Sequence, residues 1–436
     1  MSAPESLAPA LERALRGRQA ERLPSVAAAV VREGVVVWSA AVGTANYEDR
    51  AEATPETQYR IGSITKTFTA TAVMQLRDAG VLDLDDRLGQ HVAGVREGSP
   101  TIRRLLAHLS GFQREPGEMW VGGEVPTIEE VLAAMDTYEL VLPAARAHHY
   151  SNLAYALLGE LVARRSGLPY TRYVDERILQ PLGFSRTTWQ PQEPYAQGYL
   201  VDEYAGTAVR EVHTDLRGVA AMGQLWSTVG DLCAWASFLA SGRGGVLDAA
   251  TLEEMWFPQV LVNPDRWERG WGLGLELLNR DGRIFGGHGG AMPGHLAGVY
   301  VHRESGVGAA VLTNSGTRAP TTEIALELAA TTLEQWPPDT EPWRPETEPP
   351  AAVRALLGRW WSEGNEFVFT WEKERLHARA VGAPAWVQPS VFEEVDGGYR
   401  VATGRERGER LRVDGERLIW AGYVFTRTQQ PFALDA

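Results

Sequence analysis

Residues 336–350, WPPDTEPWRPETEPP, hold six prolines and four acidic residues, and they divide the chain. Proline fits neither a helix interior nor a central strand, so the segment reads as a semi-rigid extended linker. Patterning differs on its two sides, which predicts two bodies, residues 1–335 and 351–436. In the second, FVFTW, RLHARAV, GYRVATG, RLRVDG and RLIWAGYVFTR alternate apolar and polar residues between turn residues. That is the pattern of a small antiparallel β-barrel or sandwich. Its tryptophans Trp360, Trp361, Trp371, Trp386 and Trp420 are expected in core and rim packing, and Arg427 is a candidate to meet a ligand carboxylate if this body leans over a cleft of the first.

In the first body, strands open and close the sequence while helices fill its middle. SVAAAVV and VVVWSAAVG flank Arg32, Glu33 and Gly34 as a hairpin. WGLGLELL, RIFGGHGG, HLAGVYVH and VGAAVLTN read as later strands, the last two joined by a loop over residues 303–306. Helices are predicted up to about Gln19, over ITKTFTATAVMQLRDAG before Gly80, over NLAYALLGELVARRSG, over residues 226–240 and over ALELAATTLEQW. The third of these carries Arg164 and Arg165 in its last turn and Gly167 just past it, as a helix end should. Ser227-Thr228 is expected to cap the fourth. The order implies an α+β fold, a mostly antiparallel sheet flanked by helices and built from both ends of the region, with an added helical part.

Composition removes several functions. A formal charge of −14 argues against a nucleic-acid or anionic-membrane partner. Cys233 is the single cysteine, so no internal disulfide and no cysteine zinc site can form, and a core position is expected for it. No apolar run approaches the ~18–20 residues that span a bilayer. The N-terminal residues are charged and lack the apolar core of a secretory signal, so a cytoplasmic location is expected. His148, His149, His288, His295 and His302 show no metal-ligand spacing, and neither metal nor cofactor is expected. His148 and His149 are expected to shape the loop that holds Tyr150.

Of 42 basic residues only Lys66 and Lys373 are lysines. Lysine can lose its proton when buried, whereas arginine stays charged. Lys66 stands three residues after Ser63 in GSITKTF, which places both on one face of a helix start. A cation in the first helical turn opposes the macrodipole, and this conflict marks a candidate functional site. A neutral Lys66 could take the Ser63 proton and make the hydroxyl a nucleophile. The same spacing also fits a helix cap followed by a surface lysine. Two further groups favour chemistry. Tyr150-Ser151-Asn152 precedes a helix, where the phenol can enter a cleft and Asn152 can serve as N-cap. His288 lies among Gly286, Gly287, Gly289 and Gly290, a pattern expected where a strand is closely approached by a ligand or another backbone.

S-x-x-K, Y-x-N and H-x-G in this order resemble the serine β-lactamase and penicillin-binding-protein superfamily. More narrowly they resemble the branch of class C β-lactamases, D-aminopeptidases, β-lactamase-like esterases and penicillin-binding-protein-type thioesterases. YRIGSITKTFTATAVMQL, LLAHLSGF, ILQPLGF and GHGGAMPGHLAGV add to the resemblance, which covers about residues 8–335. The C-terminal part resembles the lipocalin-like barrel that often follows such domains. The resemblance implies that Ser63 becomes acylated, that Lys66 and Tyr150 manage protons, and that Asn152 holds Lys66 and binds substrate. It implies an oxyanion hole from the backbone N–H groups of Ser63 and Ala291. It implies too that His288, in the place of the K-T-G lysine, belongs to the catalytic set, and that Gly289 and Gly290 border the substrate. The H-G-G replacement, the missing S-D-N motif and Pro143-Ala144 in place of P-G depart from the β-lactamases. No counterpart of the class A acidic deacylation base is evident. The implied activity is hydrolysis or acyl transfer on esters or amides, with a small-molecule or peptide substrate that can be carrier-protein-bound. Peptide release and cyclisation by a thioesterase is the alternative; a catalytically silent sensor or scaffold is another. G-x-S-x-G, the mark of an α/β-hydrolase, is absent.

Overall fold

The computed structural model describes residues 3–96, 98–120, 122, 124–317, 319–339, 342–345 and 347–430. The chain divides into two compact units, Met1–Pro338 and Asp339–Ala436. Residues 340, 341 and 346 of the proline-rich segment lie outside the described residues, and the rest of residues 337–350 has no regular structure.

The first unit is built on a nine-stranded antiparallel sheet. Its strands are β1 (Ser25–Arg32), β2 (Val35–Asn46), β3 (Ala51–Glu52), β4 (Val260–Leu261), β5 (Arg269–Trp271), β6 (Glu276–Arg280), β7 (Arg283–Met292), β8 (His295–His302) and β9 (Val307–Thr313). Their order is β3-β2-β1-β9-β8-β7-β6-β5-β4, so the two ends of the region meet where β1 pairs β9. WGLGLELL is not one strand: the chain leaves the sheet over residues 272–275 between β5 and β6.

β1 is buried along its whole length because both faces of the sheet are covered. Val26, Ala28 and Val30 pack with Leu7, Leu11 and Leu15 of helix α1 (Leu7–Ala20) and with the last helix of the unit. Ala27, Ala29 and Val31 face the opposite core. That core takes in α2 (Thr65–Asp78), α3 (Asn152–Ser166) and α4 (Val229–Ser241). The last helix is α5 (Thr321–Gln335). α2 is buried from Thr65 through Met74, so this helix has no solvent face along most of its length. Cys233 is buried in α4, and Thr228 caps that helix by accepting from the Asp231 N–H. Residues 190–222 contain a small hairpin, Tyr199–Asp202 with Thr207–Arg210.

The second unit is a meander of eight strands, each antiparallel to the next. They are β10 (Gly358–Ser362), β11 (Asn365–Glu372), β12 (Arg375–Ala380), β13 (Ser390–Val395), β14 (Gly398–Thr403), β15 (Arg410–Asp414), β16 (Arg417–Trp420) and β17 (Tyr423–Phe425). Two 2.9 Å bonds between Trp361 and Thr426 draw the first strand to the end of the last and nearly close a barrel. Alternation picks out its core: Trp360, Phe369, Leu376, Phe392, Leu411, Leu418, Trp420 and Phe425. Two strands, β10 and β13, have no counterpart in the sequence reading, and RLIWAGYVFTR is two strands around Ala421-Gly422. Trp386 is 80% exposed and takes no part in core packing. Arg427 lies over the Trp360 ring and donates to the carbonyls of Ala355, Leu357 and Arg359 of its own unit.

Asn314, just after β9, locks the sheet beside the site. Its Oδ1 accepts from the Ser25 N–H at 2.8 Å and Oγ at 2.7 Å, and its Nδ2 donates to the carbonyls of Thr44, Ala45 and Gln197. Asn314 is fully buried, so its removal orphans several buried groups. Asn314→Ala is expected to lower stability by about 2–4 kcal/mol. Denaturant unfolding checks this, and a loss below ~1 kcal/mol would contradict the role.

Candidate active site

A cleft of about 1010 Å³ opens beside the sheet. Ser63, Tyr150, Asn152, His288, Gly289, Gly290 and Ala291 all line it. The structure thus brings together, in one wall system, candidate residues that lie far apart in the chain. Sequence reasoning did not single out Arg114, Glu115, Trp120, Arg269, Trp271 and Glu276, which line it as well. Scattered acids and arginines carry no spacing signal, so only folding reveals them.

Ser63 sits in a single 3₁₀ turn, Gly62–Ile64, that leads into α2. Lys66 is therefore the second residue of the α-helix. It is fully buried, its Nζ lies 3.0 Å from Ser63 Oγ, and it donates to the Met222 carbonyl at 2.5 Å. Burial pushes the Lys66 ammonium well below its usual range; nearby Glu115 opposes this and Arg114 adds to it. Tyr150 lines the same cleft as Ser63. Burial raises its phenol above the usual range, by more than the interaction with Ser63 lowers it, so the phenol keeps its proton at neutral pH. The Lys66 Nζ also lies 5.1 Å from the Tyr150 ring centre and 5.5 Å from that of Tyr155.

Two expectations for Asn152 are corrected. The N-cap of α3 is Ser151, whose side chain accepts from the Ala154 N–H; Asn152 is the first helical residue. Nor does Asn152 bond Lys66: its Nδ2 donates to Glu115 Oε1 at 2.7 Å. Glu115 Oε2 in turn accepts from the Trp120 indole at 3.1 Å. With Nδ2 committed to a carboxylate, Asn152 keeps Oδ1, which is buried and without a partner among the described residues.

β7 supplies the opposite wall. It pairs β8 through Met292, but its ladder with β6 stops at Gly287, which leaves His288–Met292 without a strand partner on that edge among the described residues. The glycines serve approach by another backbone. A Cβ on Gly290 would fall onto the Ile61 carbonyl oxygen, and one on Gly62, at φ +50°, would lie 2.7 Å from Ala291 N and O. Only glycine at both positions lets the turn that carries Ser63 press against the strand. His288 is 3% exposed, with the Trp271 ring edge-on to it at 5.4 Å. Its Nδ1 is 2.5 Å from the Gly289 carbonyl, which can only accept, so Nδ1 carries the proton and Nε2 a lone pair. Where the resembled K-T-G motif has a cation, this chain presents a neutral acceptor. Burial pushes the His288 imidazole down to about 3, and Lys66 adds to the effect. His148 is pushed down to about 4, again chiefly by burial. Among the described residues, no group of three or more His, Cys, Asp or Glu is placed to hold a metal ion, and no helix is long and apolar enough to cross a membrane.

Gly290→Ala is expected to abolish any Ser63 reactivity toward an ester probe while costing about 1–3 kcal/mol, since the added methyl must push the Ser63 turn away. Unchanged reactivity would show that the turn does not rest on β7. A pH effect follows from the buried histidines. Their folded pKa values lie below the unfolded ~6.5, so below that pH the unfolded chain binds more protons. Stability present above pH ~6.5 is then lost as pH falls toward 3, with His288 contributing on the order of 4 kcal/mol across the window. Thermal melts between pH 7 and 4 check this, and His288→Gln should flatten the curve.

The comparisons agree with this architecture. A family model described as Beta-lactamase matches residues 11–334, and one described as a domain of unknown function (DUF7586) matches residues 349–427. Penicillin-binding protein 4 of Amycolatopsis lactamdurans is 30% identical over 327 residues, which is 69% of this chain and 83% of that protein. Two other curated relatives, at 31% and 30% identity, are matched over only 48% of their own length. The octameric penicillin-binding protein homologue from Pyrococcus abyssi superposes with a TM-score of 0.68 at 27% identity, covering 96% of this chain and 99% of that one. A D-stereospecific amidohydrolase from Streptomyces sp. gives a TM-score of 0.63 at 26% identity, covering 72% of this chain and 96% of that one. The chain belongs to the β-lactamase family, through the unit that carries Ser63, Lys66 and Tyr150.

Proposed function

We propose that this protein is a serine hydrolase or acyltransferase that acts on ester or amide bonds through a covalent acyl-enzyme on Ser63. One observation carries the reading: a fully buried lysine whose Nζ lies 3.0 Å from the Ser63 hydroxyl. Neutral Lys66 accepts the Ser63 proton as Oγ attacks the substrate carbonyl carbon. Its own N–H stays on the Met222 carbonyl, which aims the lone pair at Ser63. The N–H groups of Ser63 and Ala291 hold the oxyanion. On collapse the leaving group takes the Tyr150 proton, and the proton on Lys66 restores the phenol. Water or an amine then attacks the acyl carbon, with the same two groups returning the proton to Ser63.

Asn152 Oδ1, His288 and the backbone at Gly289 and Gly290 form the substrate wall in this reading. The neutral His288 supplies no cation at the position of the K-T-G lysine, so a substrate carboxylate would have to meet an arginine of the cleft lining such as Arg114 or Arg269. The relationship to a D-stereospecific amidohydrolase supports D-amino-acyl amides or esters as the first substrates to try. A second reading, release and cyclisation of a peptide from a carrier thioester, draws on the size of the cleft. About 1010 Å³ reaches the upper end of the ~300–1,000 Å³ usual for small-molecule sites and leaves room for a peptidyl acyl group.

Intact-protein mass spectrometry tests both, with a p-nitrophenyl ester, a D-alanyl peptide thioester and a penicillin as donors and Ser63→Ala as control. An adduct or product that depends on Ser63 is expected, and the donor giving it separates the readings. No Ser63-dependent adduct or product with any donor would favour a silent scaffold. Lys66→Arg, which keeps the charge but cannot lose the proton, is expected to reduce turnover by about 10²–10⁴. Wild-type kcat/KM should rise with pH as Lys66 deprotonates, with its midpoint well below the lysine range. A pH-independent rate, or an active Lys66→Arg, would remove Lys66 as the base.

A further inference from the structure

Ser63, Lys66 and His288 ride on regular elements, but Tyr150 does not. Residues 147–151 run without helix or strand into α3. A proton donor must be held within a few tenths of an ångström of its partner, so something outside this stretch has to fix the phenol.

The anchor is His108. The amides on either side of Tyr150 both end on it: the His149 N–H donates to the His108 carbonyl at 2.9 Å, and the Ser151 N–H donates to His108 Nδ1 at 3.1 Å. Between these two bonds the His108 ring stacks on the Tyr150 ring, with centroids 4.2 Å apart and planes at 29°. The ring is walled in by Tyr155 at 5.0 Å and Trp271 at 4.9 Å, and the residue has no exposure. Because Nδ1 accepts from an amide, the imidazole is neutral with its proton on Nε2.

The backbone at His108 is itself costly. His108 follows the short helix Ile102–Leu106 at φ +54°. Its N–H donates to the Leu105 carbonyl and the Leu109 N–H to the Arg104 carbonyl, the bond pair of a Schellman helix end. The residue at that left-handed position is usually glycine, because a Cβ there is strained. Here a large ring occupies it, and three contacts with residues 149–151 offset that strain. LLAHLSGF adds to the family resemblance, but the role of its histidine comes from the fold.

We propose that His108 is a positioning residue for Tyr150, fixing the phenol against Ser63 by clamping both flanking amides and stacking on the ring. This inference rests on the proposed acyl-enzyme chemistry for its kinetic consequence, but not for its structural one. Two substitutions divide the clamp. The first is His108→Asn, whose Oδ1 occupies the place of Nδ1 and which tolerates positive φ but has no ring to stack. The second is His108→Phe, which keeps the ring and loses the acceptor.

With a p-nitrophenyl ester as probe, His108→Phe is expected to lower kcat ~10–100-fold with KM within about twofold. His108→Asn should recover a clear part of that loss. In a Tyr150→Phe background neither substitution should cost a further threefold, because both act through the same phenol. Wild-type kcat in a folded His108→Phe, or losses that multiply with Tyr150→Phe, would overturn the inference. If His108→Phe does not fold, the same non-additivity measured with His108→Asn decides. Crystal structures of the variants supply a readout free of activity: the Tyr150 ring should shift in each by more than in Ser63→Ala. An unmoved ring overturns the inference even if the wild type turns over no ester, whereas absent turnover with a shifted ring overturns only the proposed function.

Discussion

Everything at this site depends on keeping one lysine out of water at the start of a helix. Lys66 has no exposure, stands in the first turn of α2 where the macrodipole repels a cation, and meets Arg114 as a further positive neighbour. These influences all favour the neutral amine, and Glu115 opposes them. Arginine could not answer this environment by giving up its proton. A chain that uses arginine at 40 of 42 basic positions nevertheless has lysine here.

The burial of Lys66 needs walls, and the fold provides them from distant segments. Met222 contributes a carbonyl, Tyr150 and Tyr155 contribute ring faces, and α2 is itself enclosed by the helical core. β7 closes the other side because Gly62 and Gly290 let two backbones touch. The same dry surroundings hold His288 neutral and leave His288 Nε2 and Asn152 Oδ1 as buried acceptors without a partner among the described residues.

Local rules carried much of this in the sequence. The strand over β1, the Gly167 stop after α3 and the Thr228 cap of α4 are properties of short stretches, and each is found as read. Where a longer-range partner overrode the local rule, the reading failed. Asn152 has the chemistry of an N-cap, yet Ser151 takes that place and Glu115 takes the amide. Arg427 has the charge to meet a carboxylate, yet carbonyls of its own barrel use it. Gly272 and Gly274 sit in what reads as one strand, and the chain leaves the sheet there.

Periodicity, proline placement and three short motifs suffice for the α+β class, the strand-rich C-terminal unit and the residue types of a Ser–Lys–Tyr centre. Each of these signals acts over a few residues, so the linear chain records it. Tertiary contacts alone decide that Glu115 holds Asn152, that Met222 and two tyrosine rings enclose Lys66, and that His108 grips Tyr150. Those choices depend on which side chains meet across roughly forty to one hundred and fifty residues of chain. Burial and hydrogen-bond geometry fix such meetings, and no local pattern records them.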